Sequence, residues 1–256
     1  MRGKRSVWQW GWLGCFCLVA MAPAAANVVI TGTRVIYAEA VRDTSVHLRH
    51  TGAQPVLVQV WLDHYGADAA SGAESIIPFV VTPPVFRMEP NEGQSVRILY
   101  TQEPLPQDRE SLFQFNVLSV PPAPTDVAQN YLQLALASRL KFFFRPNGLS
   151  ARAAAEAPAQ LVWTAIQPRM LLVRNPTAFH VSVSSIRTEA VGEVYGEGDE
   201  GVMVRPFTEA SIETKQDVIR SARSGGNAEP TLVFIYINDF GVAKGQEARL
   251  GTPLVP

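Results

Sequence analysis

Four histidines, His47, His50, His64 and His180, are the residues that could bind a metal or move protons. A metal pair on a strand needs ligands on one face, at an even spacing. His47 and His50 are three apart in a β-rich run, so they point to opposite faces and make a poor pair. Glu193, Glu197, Asp199 and Glu200 crowd the stretch "EVYGEGDE". They lack the ordered ligand spacing of a calcium loop and read as a solvated turn. The chain has no G-x-S-x-G, no Gly-rich phosphate loop and no H-E-x-x-H. The expectation is a protein without metal, cofactor or catalytic site, although a hydrolase centre assembled from scattered serines or carboxylates stays open.

A different chemistry sits in "NYLQLALASRLKFFFRP", residues 130–146. Leu132, Leu134 and Leu136 recur at every second position and share one face of a strand. The run then turns basic and aromatic through Arg139, Lys141, Phe142, Phe143, Phe144 and Arg145. Lysine is seldom buried without a partner. An apolar row beside a cation is the pattern of a surface that awaits another molecule. The same segment also fits a helical period at Leu132, Ala135 and Leu136; the continuation into "FFF" without a cap favours a strand.

The N-terminus opens with Arg2, Lys4 and Arg5, continues through an apolar stretch from Val7 to Ala22, and reaches Ala24 and Ala26 in A-x-A spacing. That is a secretory signal peptide cut after Ala26. Cleavage removes Cys15 and Cys17 and leaves a mature chain without cysteine, so packing rather than disulfides must hold it. The 22 basic residues less the three signal cations, set against 23 acidic ones, leave a net charge near −4. A general nucleic-acid binder usually shows the opposite balance. No second long apolar run exists, so membrane insertion of the mature chain is not expected.

The elements that must position these residues are nearly all strands. "NVVITGTRVIYAEA" alternates Val29, Thr31, Thr33, Val35 and Tyr37 against Val28, Ile30 and Ile36. "SLFQFNVLSV" sets Phe113, Phe115 and Val117 against Leu112, Gln114, Asn116 and Leu118. The Pro83–Pro84 step in "FVVTPPVFRMEP" belongs at an edge or a strand end. Short strands spaced by Gly, Pro and Asn predict an all-β protein of antiparallel sandwiches. "NGLSARAAAEAPA" reads as a linker. A second strand series follows it, and "VGEVYGEGDEG" reads as an exposed loop. The predicted organisation is a signal peptide at 1–26, one β domain over 27–148 and a second over 149–256.

"LPQDRESLFQFNVLSVP", residues 105–121, resembles the signature of the PapD-like periplasmic pilus-assembly chaperones of the chaperone–usher pathway. The matching residues are Leu105, Pro106, Asp108, Arg109, Glu110, Ser111, Phe115, Asn116 and Pro121. "TPPVFRMEP", "RNPTAFHVSV" and "YINDFG" resemble further segments of that family, and the likeness covers about residues 28–245. It implies two immunoglobulin-like β-sandwich domains set at an angle with a cleft between them. It further implies a non-enzymatic chaperone that binds, folds and caps fimbrial subunits by donor-strand complementation and delivers them to an outer-membrane usher. The short stretch "PPAPTDVAQN" resembles the short-loop class.

By the same resemblance, Leu132, Leu134 and Leu136 are the donor-strand residues. Arg34 and Lys141 anchor the subunit's terminal carboxylate. Glu110, Arg145 and Asp239 form an interdomain ionic network. Self-association through the leucine strand is expected when no subunit is bound. Lys141 is odd-numbered and the leucines even, so alternation puts the anchor on the opposite face; a twist, a bulge or the cleft must account for it. The competing reading is a secreted β-sandwich structural or adhesive protein, itself a pilus subunit. Such subunits usually carry a disulfide and a donor extension, and this mature chain has neither.

Overall fold

A computed structural model describes residues 28–66, 76–123, 133–188, 192–196, 201–218 and 231–251. The predicted signal peptide, Leu132 and the acidic residues Glu197, Asp199 and Glu200 lie outside the described residues.

The N-terminal portion contains β1 (Val28–Ile30), β2 (Arg34–Ala38), β3 (Asp43–His50), β4 (Val56–His64), β5 (Phe79–Thr82), β6 (Val85–Met88), β7 (Gly93–Tyr100), β8 (Ser111–Val120) and β9 (Leu136–Arg145). They form a four-stranded sheet in the order β1-β3-β7-β5 and a five-stranded sheet in the order β2-β9-β8-β4-β6. The two sheets sandwich the inward residues of each alternating run: Val46 and Leu48 on β3, Val58 and Val60 on β4, Phe113, Phe115 and Val117 on β8. Tyr37, Phe79, Tyr100, Phe142 and Phe144 stack into one aromatic cluster within that core. His47 is exposed and His50 buried, on opposite faces of β3 as their spacing requires.

Two segments cross between the sheets. The alternating run at the N-terminus breaks at Gly32, whose φ of 92° lies in the left-handed region that glycine tolerates best. The break sends β1 to one sheet and β2 to the other, and shifts the inward face from Val28 and Ile30 to Val35 and Tyr37. Pro83 and Pro84 fall between β5 and β6, each at the end of its sheet, where a missing N–H costs no ladder bond.

The C-terminal portion begins with α1 (Ala151–Glu156) and a 3₁₀ turn (Ala157–Gln160), where a linker was expected. The signal for it is local: the Ser150 hydroxyl accepts the Ala153 amide at 3.1 Å, an N-cap ahead of an alanine-rich run. Strands β10 (Val162–Gln167), β11 (Met170–Arg174), β12 (Val181–Thr188), β13 (Gly192–Tyr195), β14 (Val202–Val204), β15 (Glu209–Glu213), β16 (Thr231–Ile237) and β17 (Ala243–Gly251) follow. They join into one eight-stranded sheet that closes over a second core built on Trp163, Leu171, Ile186, Ile212 and Phe234. The glycine-rich stretch expected as an exposed loop contributes β13, which pairs with β12 and buries Val194. Tyr195 beside it is buried in the same core.

The sandwiches are not purely antiparallel. β2 runs parallel to β9, and β10 parallel to β17. Parallel neighbours need a long connection, and here most of a domain separates each pair.

Candidate functional site

Strand β9 has two different edges. One is paired throughout with β8, from Leu136 opposite Ser119 to Phe144 opposite Ser111. The other is paired with β2 only from Lys141 to Arg145. Residues 136–140 therefore present a row of backbone groups with no strand beside them among the described residues. Such an edge is a template for pairing with another chain.

Two leucines at the start of that edge face solvent. Leu134 is 63 % exposed and Leu136 48 % exposed. The even-numbered face continues into Leu140, Phe142 and Phe144, which fill the N-terminal core. Leu134 and Leu136 extend that core face past the end of the sandwich. In the free chain the strand begins at Leu136, so Leu134 lies just ahead of it, where a strand from residue 131 onward was expected.

The odd-numbered face carries Lys141, Phe143 and Arg145 and looks toward the C-terminal portion. Phe143 packs against His180 with ring centroids 5.7 Å apart. Lys141 and the leucines therefore lie on different faces of one strand, which pairs with β8 in unbroken register and carries no bulge. Arg34, the first residue of β2, sits directly opposite Lys141 in the parallel register. Across the sheet the same row continues through Gln114 to Asp63. Asp63 accepts from Trp61 Nε1 at 2.7 Å and Asn116 Nδ2 at 3.0 Å.

Arg34 and Lys141 are thus two adjacent cations. Arg34 gives one N–H to the Ile237 carbonyl at 3.0 Å and lies over the Phe143 ring; its buried Nε has no acceptor among the described residues. Lys141 lies 5.9 Å from the centre of the Tyr65 ring. Neither forms an ion pair among the described residues. Burial draws the Lys141 ammonium below its ordinary value, and the nearby Arg34 charge adds to this. Burial likewise lowers Arg34, against the opposing pull of Asp239 and Glu110. A carboxylate placed between them would relieve both, through charge-assisted hydrogen bonds.

A paired network stands behind the cations. Arg145 reaches Glu110 through Nη2 at 2.7 Å and Nε at 2.9 Å. It reaches Asp239 through Nη1 at 2.9 Å. Glu110 also accepts the His180 amide at 2.9 Å, and its own amide donates to the Ala178 carbonyl at 2.9 Å. The Arg145 and Glu110 side chains are 6 % and 2 % exposed. Burial raises the Glu110 carboxyl, but His180 and the Arg145 charge outweigh it and hold the group below its usual value. The expected trio of Glu110, Arg145 and Asp239 is thus assembled across the two portions.

Sequence reasoning missed the partners from the second portion. His180 was weighed only as a metal ligand. It follows Asn175, whose buried amide donates to the Phe179, Val204 and Arg205 carbonyls and so shapes the turn that presents Ala178 to His180. The "RNPTAFH" run was the available signal. Gly241, with φ at 77°, lets the β16–β17 turn approach Thr33; a Cβ there would collide with the Thr33 hydroxyl. Among the described residues, no cluster of His, Cys, Asp and Glu could hold a metal ion. No helix among them is long and apolar enough to cross a membrane.

Comparison with known proteins bears on the whole of this arrangement. Residues 27–150 match the family described as "Pili and flagellar-assembly chaperone, PapD N-terminal domain". Residues 156–248 match "Pili assembly chaperone PapD, C-terminal domain". The chain is 41 % identical over 246 residues to the probable fimbrial chaperone YadV of Escherichia coli K12, covering 92 % of this chain and 96 % of the relative. It is 37 % identical over 245 residues to the chaperone protein FimB/FhaD of Bordetella pertussis, covering 93 % and 94 %. The crystal structure of the YadV chaperone superposes with a TM-score of 0.68 at 38 % identity, over 88 % of this chain and all of that one. A Salmonella enterica complex of the SafA pilin with the SafB chaperone gives 0.68 at 26 % identity, over 87 % and 96 %.

Proposed function

The chain belongs to the PapD-like family of pilus-assembly chaperones, and from that premise we propose that β9 is lent to a fimbrial subunit along its free edge, with Arg34 and Lys141 gripping the subunit's C-terminal carboxylate. The observation that carries this is the place where the free edge stops: it ends at the row where Arg34 and Lys141 stand side by side, with no ion pair to either among the described residues. A strand filling the edge lies in line with β2 and abuts its first residue, Arg34. The cations decide its direction. A strand running parallel to β9 brings its carboxyl end to them; an antiparallel one would bring its ammonium end, which they repel.

Pairing the edge satisfies its backbone groups, and Leu134 and Leu136 enter the core of a subunit whose own sandwich lacks a strand. Leu132 extends the same alternation by sequence. The anchor sets register, since a one-residue slip would turn the leucines out of that core. The Arg145–Glu110–Asp239 network holds the second domain behind the anchor. The division near residues 148 and 149, between the two cores, belongs to this reading. So does a periplasmic location, which rests on the N-terminal signal-like segment and the family's setting. The role is binding and transfer to an outer-membrane usher, without catalysis. The relatives are named as chaperones, which favours this role over that of a pilus subunit. In the absence of a subunit, a second copy of this chain is the competing occupant of the edge.

The test is co-purification with subunits encoded beside this gene, comparing the parent with Arg34→Ala and Lys141→Ala. Both variants should fold and fail to hold a subunit. Undiminished capture by both would remove the carboxylate anchor.

A further inference from the structure

A cavity of about 210 Å³ opens beside Arg34, between the two domains. One wall is the alanine face of α1, Ala151, Ala154 and Ala155, with Pro158 of the following turn. Tyr236 and Phe240 flank it, and Lys244 joins Arg34 as a second cation in its lining. The reading above assigns this space nothing. Phe240 is 87 % exposed, and the turn that carries it does not depend on its ring. That turn is held by Asn238, whose side-chain oxygen accepts the Phe240 and Val242 amides at 3.0 and 2.9 Å. A large aromatic residue so exposed, lining a cavity with an alanine wall, buries little of its ring in the free chain.

We propose that this cavity is a specificity subsite for the subunit's C-terminal residue, taking an apolar or aromatic side chain while Arg34 and Lys141 hold the carboxylate. The proposal rests on the carboxylate-anchor reading. Three observations give its occupant. The cavity is continuous with the anchor through Arg34, whose guanidinium bonds the Ile237 carbonyl on the cavity wall. Arg34 projects from the outer face of β2, the face of Lys141 and Phe143. A terminal residue in line with β2 whose side chain takes that face is therefore directed to the second domain rather than to the subunit core. The size also fits: cavities of about 150 Å³ lined by aliphatic side chains accept benzene. Two carboxylates stand beside the two cations of the lining, and Glu110 is already held by Arg145. Asp239, also in the lining, is already held by Arg145.

The probes are three synthetic twelve-residue peptides of alternating valine and threonine. One ends in a phenylalanine acid, one in a glycine acid and one in a phenylalanine amide. Their affinities are measured by calorimetry against the full mature chain, Phe240→Ala and Ala155→Trp. Phe240→Ala removes the flanking ring, and Ala155→Trp fills the cavity from its exposed side, so neither disturbs a core. The parent should prefer the phenylalanine acid to the glycine acid by about tenfold, as expected for burying much of one aromatic side chain. Both variants should lose that preference and still favour acid over amide. Equal binding of the two acids by the parent, with the amide still weakened, would overturn the subsite and leave the anchor standing. Equal binding of the phenylalanine acid and amide would remove the anchor, and the subsite with it.

Discussion

Replacing Leu134 or Leu136 by alanine should separate binding from stability. Full burial of a leucine contributes about 1.5–3 kcal/mol. Leu134 has 63 % of its surface still to bury and Leu136 has 48 %. Scaled by those fractions, a subunit core gains about 1–2 kcal/mol from Leu134 and about 1 kcal/mol from Leu136. Truncation should therefore weaken subunit binding by about fivefold to thirtyfold at Leu134 and about fivefold at Leu136. The free chain should hardly notice, because both side chains face solvent. Urea unfolding of each variant should stay within about 0.5 kcal/mol of the parent. Affinity is read by titrating a strand-deficient subunit, refolded in the presence of each variant, against a labelled parent competitor. Unchanged affinity in both variants would show that this face does not enter the subunit. A loss appearing in the unfolding of the free chain would show that the leucines belong to the chaperone's own core.

Breaking the interdomain network should cost unequally. Glu110→Gln leaves a buried guanidinium short of its closest partner and should lower stability by about 3–5 kcal/mol, whereas Asp239→Asn, at a side chain 34 % exposed, should cost about 1 kcal/mol; equal losses in urea unfolding would refute the ranking. Because the Glu110 carboxyl titrates below its ordinary value in the fold, its stabilisation is present above that value and lost as pH falls through the folded one. Glu110→Gln should accordingly flatten the acid limb of the stability profile. Lys141 has the opposite sign: its folded value is depressed by burial and by Arg34, so the unfolded chain binds more protons between that value and the ordinary 10.5, and stability rises with pH across the window. Lys141→Met should be more stable than the parent at neutral pH and lack this rise while losing subunit capture; a less stable variant at pH 7 would show that the ammonium has a partner in the free chain.

Local chemistry carried much of this protein in its sequence. Alternation in "SLFQFNVLSV" assigns Phe113, Phe115 and Val117 to a core with no knowledge of what lies opposite, because side chains on a strand change face at every residue. The apolar row ending in a cation was legible for the same reason. So was the opposition of Lys141 to the leucines, though its meaning was not. The capped helix at Ser150 could have been read locally; its small, proline-bearing composition suggested a linker instead.

Contacts between distant segments were decided only by the tertiary structure. Arg34 and Lys141 are remote in the chain and become neighbours because β2 pairs in parallel with β9. That register depends on how both strands pack against β8 and the core, and neither strand encodes it alone. The length of β2 decides where the free edge of β9 stops. Glu110 and Arg145 could be named as charges, but their burial exists only because Ala178, His180 and Asp239 close over them from the second domain. The cavity beside Arg34 arises the same way, from a helix, a turn and a strand that share no local pattern and meet only when the two domains dock.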